Sequence, residues 1–241
     1  MLLLLVACSR LNTPTLPESS PGADRLLVLV HGGGDGPEDW PTTMAEAISA
    51  NLIEPERWDV WTYEWIDDAQ GSVNVTKRGE DHGRWLGARL AERDYEHLHL
   101  IGHSAGAAVL YGVSDTLAQQ AGLTLHETYL DPFGGQGLLR WEYGERRYGE
   151  GADFADAVLN TLDGVPSTDE PFHNTLSFDV SALAEDDMSA IEGHRLPILL
   201  YEESVWSPIL GFGWAFSAEF TGEIPSFESL GVARGEVVTL D

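Results

Sequence analysis

The sequence predicts an α/β fold built on a mostly parallel sheet with helices on both faces. Leu26-Leu27-Val28-Leu29-Val30 is a continuous apolar run of strand length, which suits a strand buried on both faces. From there to residue 130, strand-like and helix-like segments alternate with short links. In the middle of that alternation, Gly102-His103-Ser104-Ala105-Gly106 sits where an apolar strand passes into a helix. With 241 residues and 43% apolar content the chain can fill one core, so residues 24–241 are expected to form a single domain.

In chain order, the first strand ends at His31-Gly32-Gly33-Gly34. Residues 40–52 read as a helix, with Pro41 in its first turn and Met44, Ala47, Ile48 and Leu52 at helical spacing. Residues 58–65 are aromatic, β-branched and strand-like, and 67–73 are polar loop. Residues 76–93 read as a charged surface helix with Trp85, Leu86 and Leu90 on one side. The strand at 97–103, a helix to about residue 117 and a strand at 123–130 complete the alternation. Beyond it, 152–160 and 175–180 read as two more strands, and 194–206 as a final helix or turn. Residues 140–151 are charged and aromatic and read as surface loop, with a mobile flap near the site as the alternative.

The serine segment has the form of a nucleophile elbow. Gly102 and Gly106 are needed because the backbone turns sharply at Ser104, where a β-carbon on either flank would collide with the neighbouring strand or helix. Ser104 is thereby exposed above the sheet edge, and the N–H of Ala105 points to where an oxyanion would form. An ordinary Gly-rich turn is the bland alternative. Gly33 N–H is the candidate second oxyanion donor, with Gly34 next, because a glycine run can turn its amides toward a substrate. Asp131 stands at a strand's carboxyl end, where functional residues of open α/β sheets gather, although Asp131-Pro132 also suits a simple turn. Of eight histidines, His194 and His173 lie after Asp131 on late segments and compete for the general base, while His31 is better placed to support the oxyanion loop. The aromatic stretch at 209–220 either lines an acyl pocket or completes the core.

The balance of 13 Lys+Arg against 40 Asp+Glu, a formal net charge of -27, repels phosphate backbones, so nucleic acid is not an expected partner. A hydrated, salt-tolerant surface accounts for that acidity without a cationic ligand. One cysteine excludes an intramolecular disulfide. Leu5-Val6-Ala7-Cys8 resembles a bacterial lipobox, which implies acylation of Cys8 and a membrane tether in the cell envelope. A disordered N-terminus is the other reading. Residues 11–23, rich in Pro, Ser and Thr, then read as a spacer, so that 1–23 would be signal plus linker.

Four segments together resemble the lipase branch of the α/β-hydrolases, in particular the pancreatic-type lipases. They are the glycine loop His31 to Trp40, the elbow Ile101-Gly102-His103-Ser104-Ala105-Gly106-Ala107, Tyr129-Leu130-Asp131-Pro132, and the stretch from His194 to Tyr201. The resemblance implies an α/β-hydrolase fold and a Ser104, Asp131 and His194 triad. It favours His194 over His173. Asp131 lies 27 residues past Ser104, with room for one helix and one strand between them, a placement that these lipases share. Long cysteine-framed lids and a second C-terminal domain are features of that family without a counterpart here. The expected activity is cleavage of a carboxylic ester, lipid or small, through an acyl-serine, with no metal or organic cofactor. Thioester or amide cleavage would use the same triad. A catalytically silent envelope lipoprotein that binds a lipid or protein partner is the alternative.

Overall fold

The apolar run that opens the folded part becomes β1 (Arg25–Val30), and every residue of it is buried. The computed structural model describes residues 11–70, 74–137, 139–165, 170–208 and 211–240. β1 is joined by β2 (Trp58–Tyr63), β3 (His97–His103), β4 (Thr124–Leu130), β5 (Phe154–Leu159), β6 (Leu176–Asp179) and β7 (Val237–Thr239). These make one seven-stranded sheet in the order β2-β1-β3-β4-β5-β6-β7, with every pairing parallel.

Because successive strand residues point to opposite faces, one strand feeds two cores. Leu26, Val28 and Val30 pack in the core under α2 (Val75–Leu90) and α3 (Ala107–Leu117). Leu27 and Leu29 pack in the other, under α1 (Trp40–Asn51) and α5 (Ala190–Trp206). The aromatic stretch expected either to line a pocket or to complete the core does the second: Phe212 and Trp214 are buried with Phe178 and Tyr201.

Four segments differ from the expectations. The 11–23 stretch is no free spacer. Asn12 N–H donates to Asp68 Oδ2 at 3.0 Å, Ser20 N–H to Asp59 Oδ2 at 3.1 Å, and Arg93 to Ser19 Oγ at 2.9 Å, while Leu16 packs on the core. The segment makes these bonds through two backbone N–H groups and one serine hydroxyl, so the low hydrophobicity that suggests a linker does not prevent docking. The 140–151 segment is no mobile flap either: it holds a short helix, α4 (Tyr143–Arg147), and is pinned by Tyr148, which is fully buried between Tyr129 and Phe172 and donates to Phe133 O at 3.0 Å. The segment around His194 is a full helix, started by a Ser189–Glu192 capping box four residues before the point where it was expected. β7 lies beyond the expected strands: Val237-Val238-Thr239 is β-branched but only three residues long and partly exposed.

One face of the sheet carries polar side chains in its interior. His97, His99, His126, Thr128 and Asp156 are all buried there. His99 bridges Glu219 Oε1 at 2.6 Å and Thr128 at 2.9 Å, and its ring stacks on His126 at 3.7 Å. His97 has no partner for either ring nitrogen among the described residues, and burial pushes its pKa down to about 3. A histidine whose folded pKa lies below its unfolded value contributes stability that is present above pH 6.5 and is lost as pH falls toward 3. Lowering the pH from 6.5 to 5 is therefore expected to cost about 2 kcal/mol through His97 alone. Denaturant unfolding at both pH values checks this, and His97→Leu should remove that part of the acid sensitivity.

Candidate active site

The register of the parallel strands brings the functional residues to one edge. Val30 pairs with Gly102, and His103 with Leu130, so Gly33, Ser104 and Asp131 leave adjacent strands at their carboxyl ends. Ser104 has φ +52°, a left-handed conformation that side chains other than glycine rarely adopt. The neighbouring glycines explain how that turn fits. A β-carbon at Gly106 would lie 2.7 Å from the carbonyl oxygens of Val30 and His31, and one at Gly102 would lie 2.7 Å from Leu110. A single turn of 3-10 helix (Ser104–Gly106) then leads into α3.

Ser104 and Ala105 face Gly33, Ala69, Val75 and Phe133 around a pocket of about 310 Å³. The glycine loop is held from behind, as its sequence suggested, by His31. Trp65 N–H donates to His31 Nε2 at 3.3 Å, His31 Nδ1–H donates to Gly32 O at 2.9 Å, and Trp65 Nε1–H donates to His31 O at 2.9 Å. Gly34 N–H is occupied by Ala69 O at 3.3 Å, whereas Gly33 N–H has no partner among the described residues.

Asp131 also has positive φ, +42°, and is fully buried. Its Oδ1 accepts from Asn160 N–H at 2.9 Å and its Oδ2 from His194 Nδ1–H at 2.7 Å. His194 lies one turn into α5. That turn is anchored by Asn160 Nδ2–H, which donates to Gly193 O at 3.0 Å. Gly193 O is available because Pro197, four residues on, has no N–H to offer it. His103 backs the imidazole, with ring centroids 4.6 Å apart and Nε2–H donating to His194 O at 3.1 Å. His173 is exposed and held by its own N–H to Glu145 O, away from this group. Among the described residues no hydrogen bond joins Ser104 Oγ to His194; such nucleophile–base contacts often tighten only when substrate binds.

A residue that the sequence reading missed completes the group. Asp163 Oδ2 lies 2.9 Å from His194 Nδ1, beside Asp131. It lies on the loop after β5, four residues past the strand's end, whereas Asp131 directly follows β4. Burial alone would lower the His194 pKa, but hydrogen bonds and charge from Asp131 and Asp163 outweigh it and raise it to about 9. Burial lifts the Asp131 carboxyl to about 7 against the pull of His194. The three side chains offer atoms within 4.8 Å of one another, near enough for an ion, yet the contacts are N–H···O lengths that a proton on Nδ1 already satisfies. Cys8 lies outside the described residues.

A family model described as "Alpha/beta hydrolase family" matches residues 27–225. No curated protein sequence matches this chain. Among solved structures, a gene product of Listeria innocua is similar with a TM-score of 0.52 at 12% identity, over 90% of this chain and 99% of that one. A Lactobacillus plantarum protein assigned as a cell surface hydrolase gives 0.45 at 10% identity, over 76% of this chain and 92% of that one. A Xanthomonas campestris pv. campestris protein assigned to the α/β hydrolase superfamily gives 0.44 at 14%, over 78% and 99%. At such identities the likeness speaks for fold alone, and of these three the first carries it. With a parallel sheet flanked by helices on both faces, a strained serine at a strand-to-helix turn and a family match across most of its length, the chain belongs to the alpha/beta hydrolase family.

Proposed function

We propose that this protein is a serine hydrolase that cleaves carboxylic esters through an acyl-serine intermediate. The observation that carries the reading is the buried 2.7 Å contact of Asp131 with His194, on the sheet edge where Ser104 is held in its strained turn. Ser104 Oγ attacks the acyl carbonyl while His194 Nε2 takes its proton, and the same nitrogen returns that proton to the leaving alcohol. Asp131 keeps the Nδ1–H tautomer and stabilises the imidazolium. The N–H groups of Gly33 and Ala105 meet the developing oxyanion, each well-aimed donor being worth roughly 3–4 kcal/mol in the transition state. Water then repeats the sequence on the acyl-enzyme.

The apolar walls of Val75, Phe133 and Ala69 favour an acyl group in the pocket, and the narrower likeness to pancreatic-type lipases supports an ester. The lipobox likeness at Cys8 supports attachment to the cell envelope.

The test is labelling of the purified protein by a fluorophosphonate serine probe, with Ser104→Ala and His194→Ala as controls. Labelling that both substitutions abolish is expected, and a graded ester panel follows from it. A folded wild-type protein that resists the probe at every pH would overturn the assignment in favour of a binding role for the fold.

A further inference from the structure

The imidazole of His194 has one Nδ1 proton and two carboxylate oxygens within hydrogen-bond length of it, at 2.7 Å from Asp131 and 2.9 Å from Asp163. We propose that Asp131 and Asp163 act together as the acid of this site, a pair of carboxylates that hold Nδ1–H between them so that either one alone still orients the imidazole. The proposal rests on the reading of His194 as general base.

Each carboxylate has its own backbone donor. Asp131 Oδ1 accepts from Asn160 N–H at 2.9 Å, and Asp163 Oδ1 accepts from Val165 N–H at 2.7 Å, which leaves an Oδ2 of each directed at the ring. The two come from different strand ends, after β4 and β5, so removing one side chain leaves the other's backbone support in place. Both side chains are shielded from solvent.

Two buried carboxylates around one donor cannot both keep a full charge. Burial drives Asp131 up to about 7, whereas bonds from His194, Asp131 and Val165 outweigh burial at Asp163 and hold it low. Of the two, Asp131 is therefore the one that burial favours in the protonated form, and Asp163 the one held ionised. Deprotonation of Asp131 as the pH rises strengthens the hold on the imidazolium. The remaining ionisable groups around the ring are His103, packed on its face, Asp35 at 3.7 Å from His103 Nδ1, and Arg195 beside it in α5. Burial lowers the His103 pKa, so it adds no positive charge near neutrality.

Redundancy has a measurable consequence. In a serine protease with a single acid, its conversion to the amide costs about 10⁴-fold in turnover because the imidazole takes the wrong tautomer. Here Asp131→Asn and Asp163→Asn should each cost less than about 100-fold in fluorophosphonate labelling rate, and the double variant about 10⁴-fold. Asn keeps the oxygen that Asn160 N–H or Val165 N–H needs, so each single variant should fold.

The experiment uses the full chain in four forms, wild type, the two single variants and the double, and takes two readouts. The first is the labelling rate against pH. The second is the His194 ring titration by NMR with isotope-labelled histidine, the resonance being assigned by its loss in His194→Ala. Either single variant is expected to move the His194 midpoint and the acid limb of labelling down by a unit or more. If Asp163→Asn matches wild type in both readouts while Asp131→Asn loses the whole 10⁴, Asp131 works alone and the proposal falls. If wild type never labels, the hydrolase reading fails and the titration still decides the pair: midpoints lowered in both single variants sustain it, and an unmoved midpoint in Asp163→Asn overturns it. Should a variant unfold, the carboxyl carbons of wild-type aspartates serve instead. One of them titrating well above the usual carboxylate range supports the pairing, and none doing so refutes it.

Discussion

Ester turnover by Ser104→Ala is expected to fall by about 10⁶-fold, since serine proteases that lose their nucleophile lose about that much and keep only what oxyanion donors and binding supply. The measurement is kcat on a short activated ester, with the Michaelis constant expected to stay within a few-fold because no pocket wall is removed. A second comparison separates strain from chemistry. At φ +52° a side chain costs on the order of 1 kcal/mol that glycine does not incur. Ser104→Gly should therefore be as inactive as Ser104→Ala yet more stable than it by about 1 kcal/mol in a denaturant melt. Equal stability of the two would mean that the elbow stores no strain.

The largest stability loss is expected at Gly83. α2 presents Gly79, Gly83 and Gly87 to α3 at one-turn spacing, and a β-carbon at Gly83 would sit 2.1 Å from Val109 O and 2.7 Å from Gly112 Cα. Both are backbone atoms of α3, so they cannot turn aside as a side chain would. The two helices must separate, and α3 is the helix that the elbow feeds. We expect Gly83→Ala to cost more than about 3 kcal/mol, at the top of the range for overpacked cores. In a chain of this size that lowers Tm by roughly 6–12 °C. Gly79→Ala should cost less, because its nearest neighbour is the Ala108 side chain at 2.9 Å. A Gly83→Ala protein that melts with wild type would mean that the helices part at little cost.

The elbow, the glycine loop and the first buried strand were legible in the sequence because each is a local pattern: an apolar run, or glycines at a sharp turn. Asp131 was legible from the strand end it follows. Reaching His194 took the family likeness, since 63 residues separate it from Asp131 and no spacing rule joins them. Asp163 is harder to read from sequence, because it stands four residues past the end of β5 in a polar loop and no local pattern marks it.

Local chemistry along the chain therefore determined where the backbone turns, which runs are buried and which serine sits at the sharp turn. Tertiary structure alone decided what meets His194. The parallel register sets the ends of β4 and β5 side by side, and two carboxylates distant in sequence converge on one nitrogen. The docking of residues 12–20, the anchoring of Tyr148 and the edge strand β7 were decided the same way. Each depends on partners that only the folded chain brings within reach, and polar or half-exposed residues leave no periodic trace of such partners in the sequence.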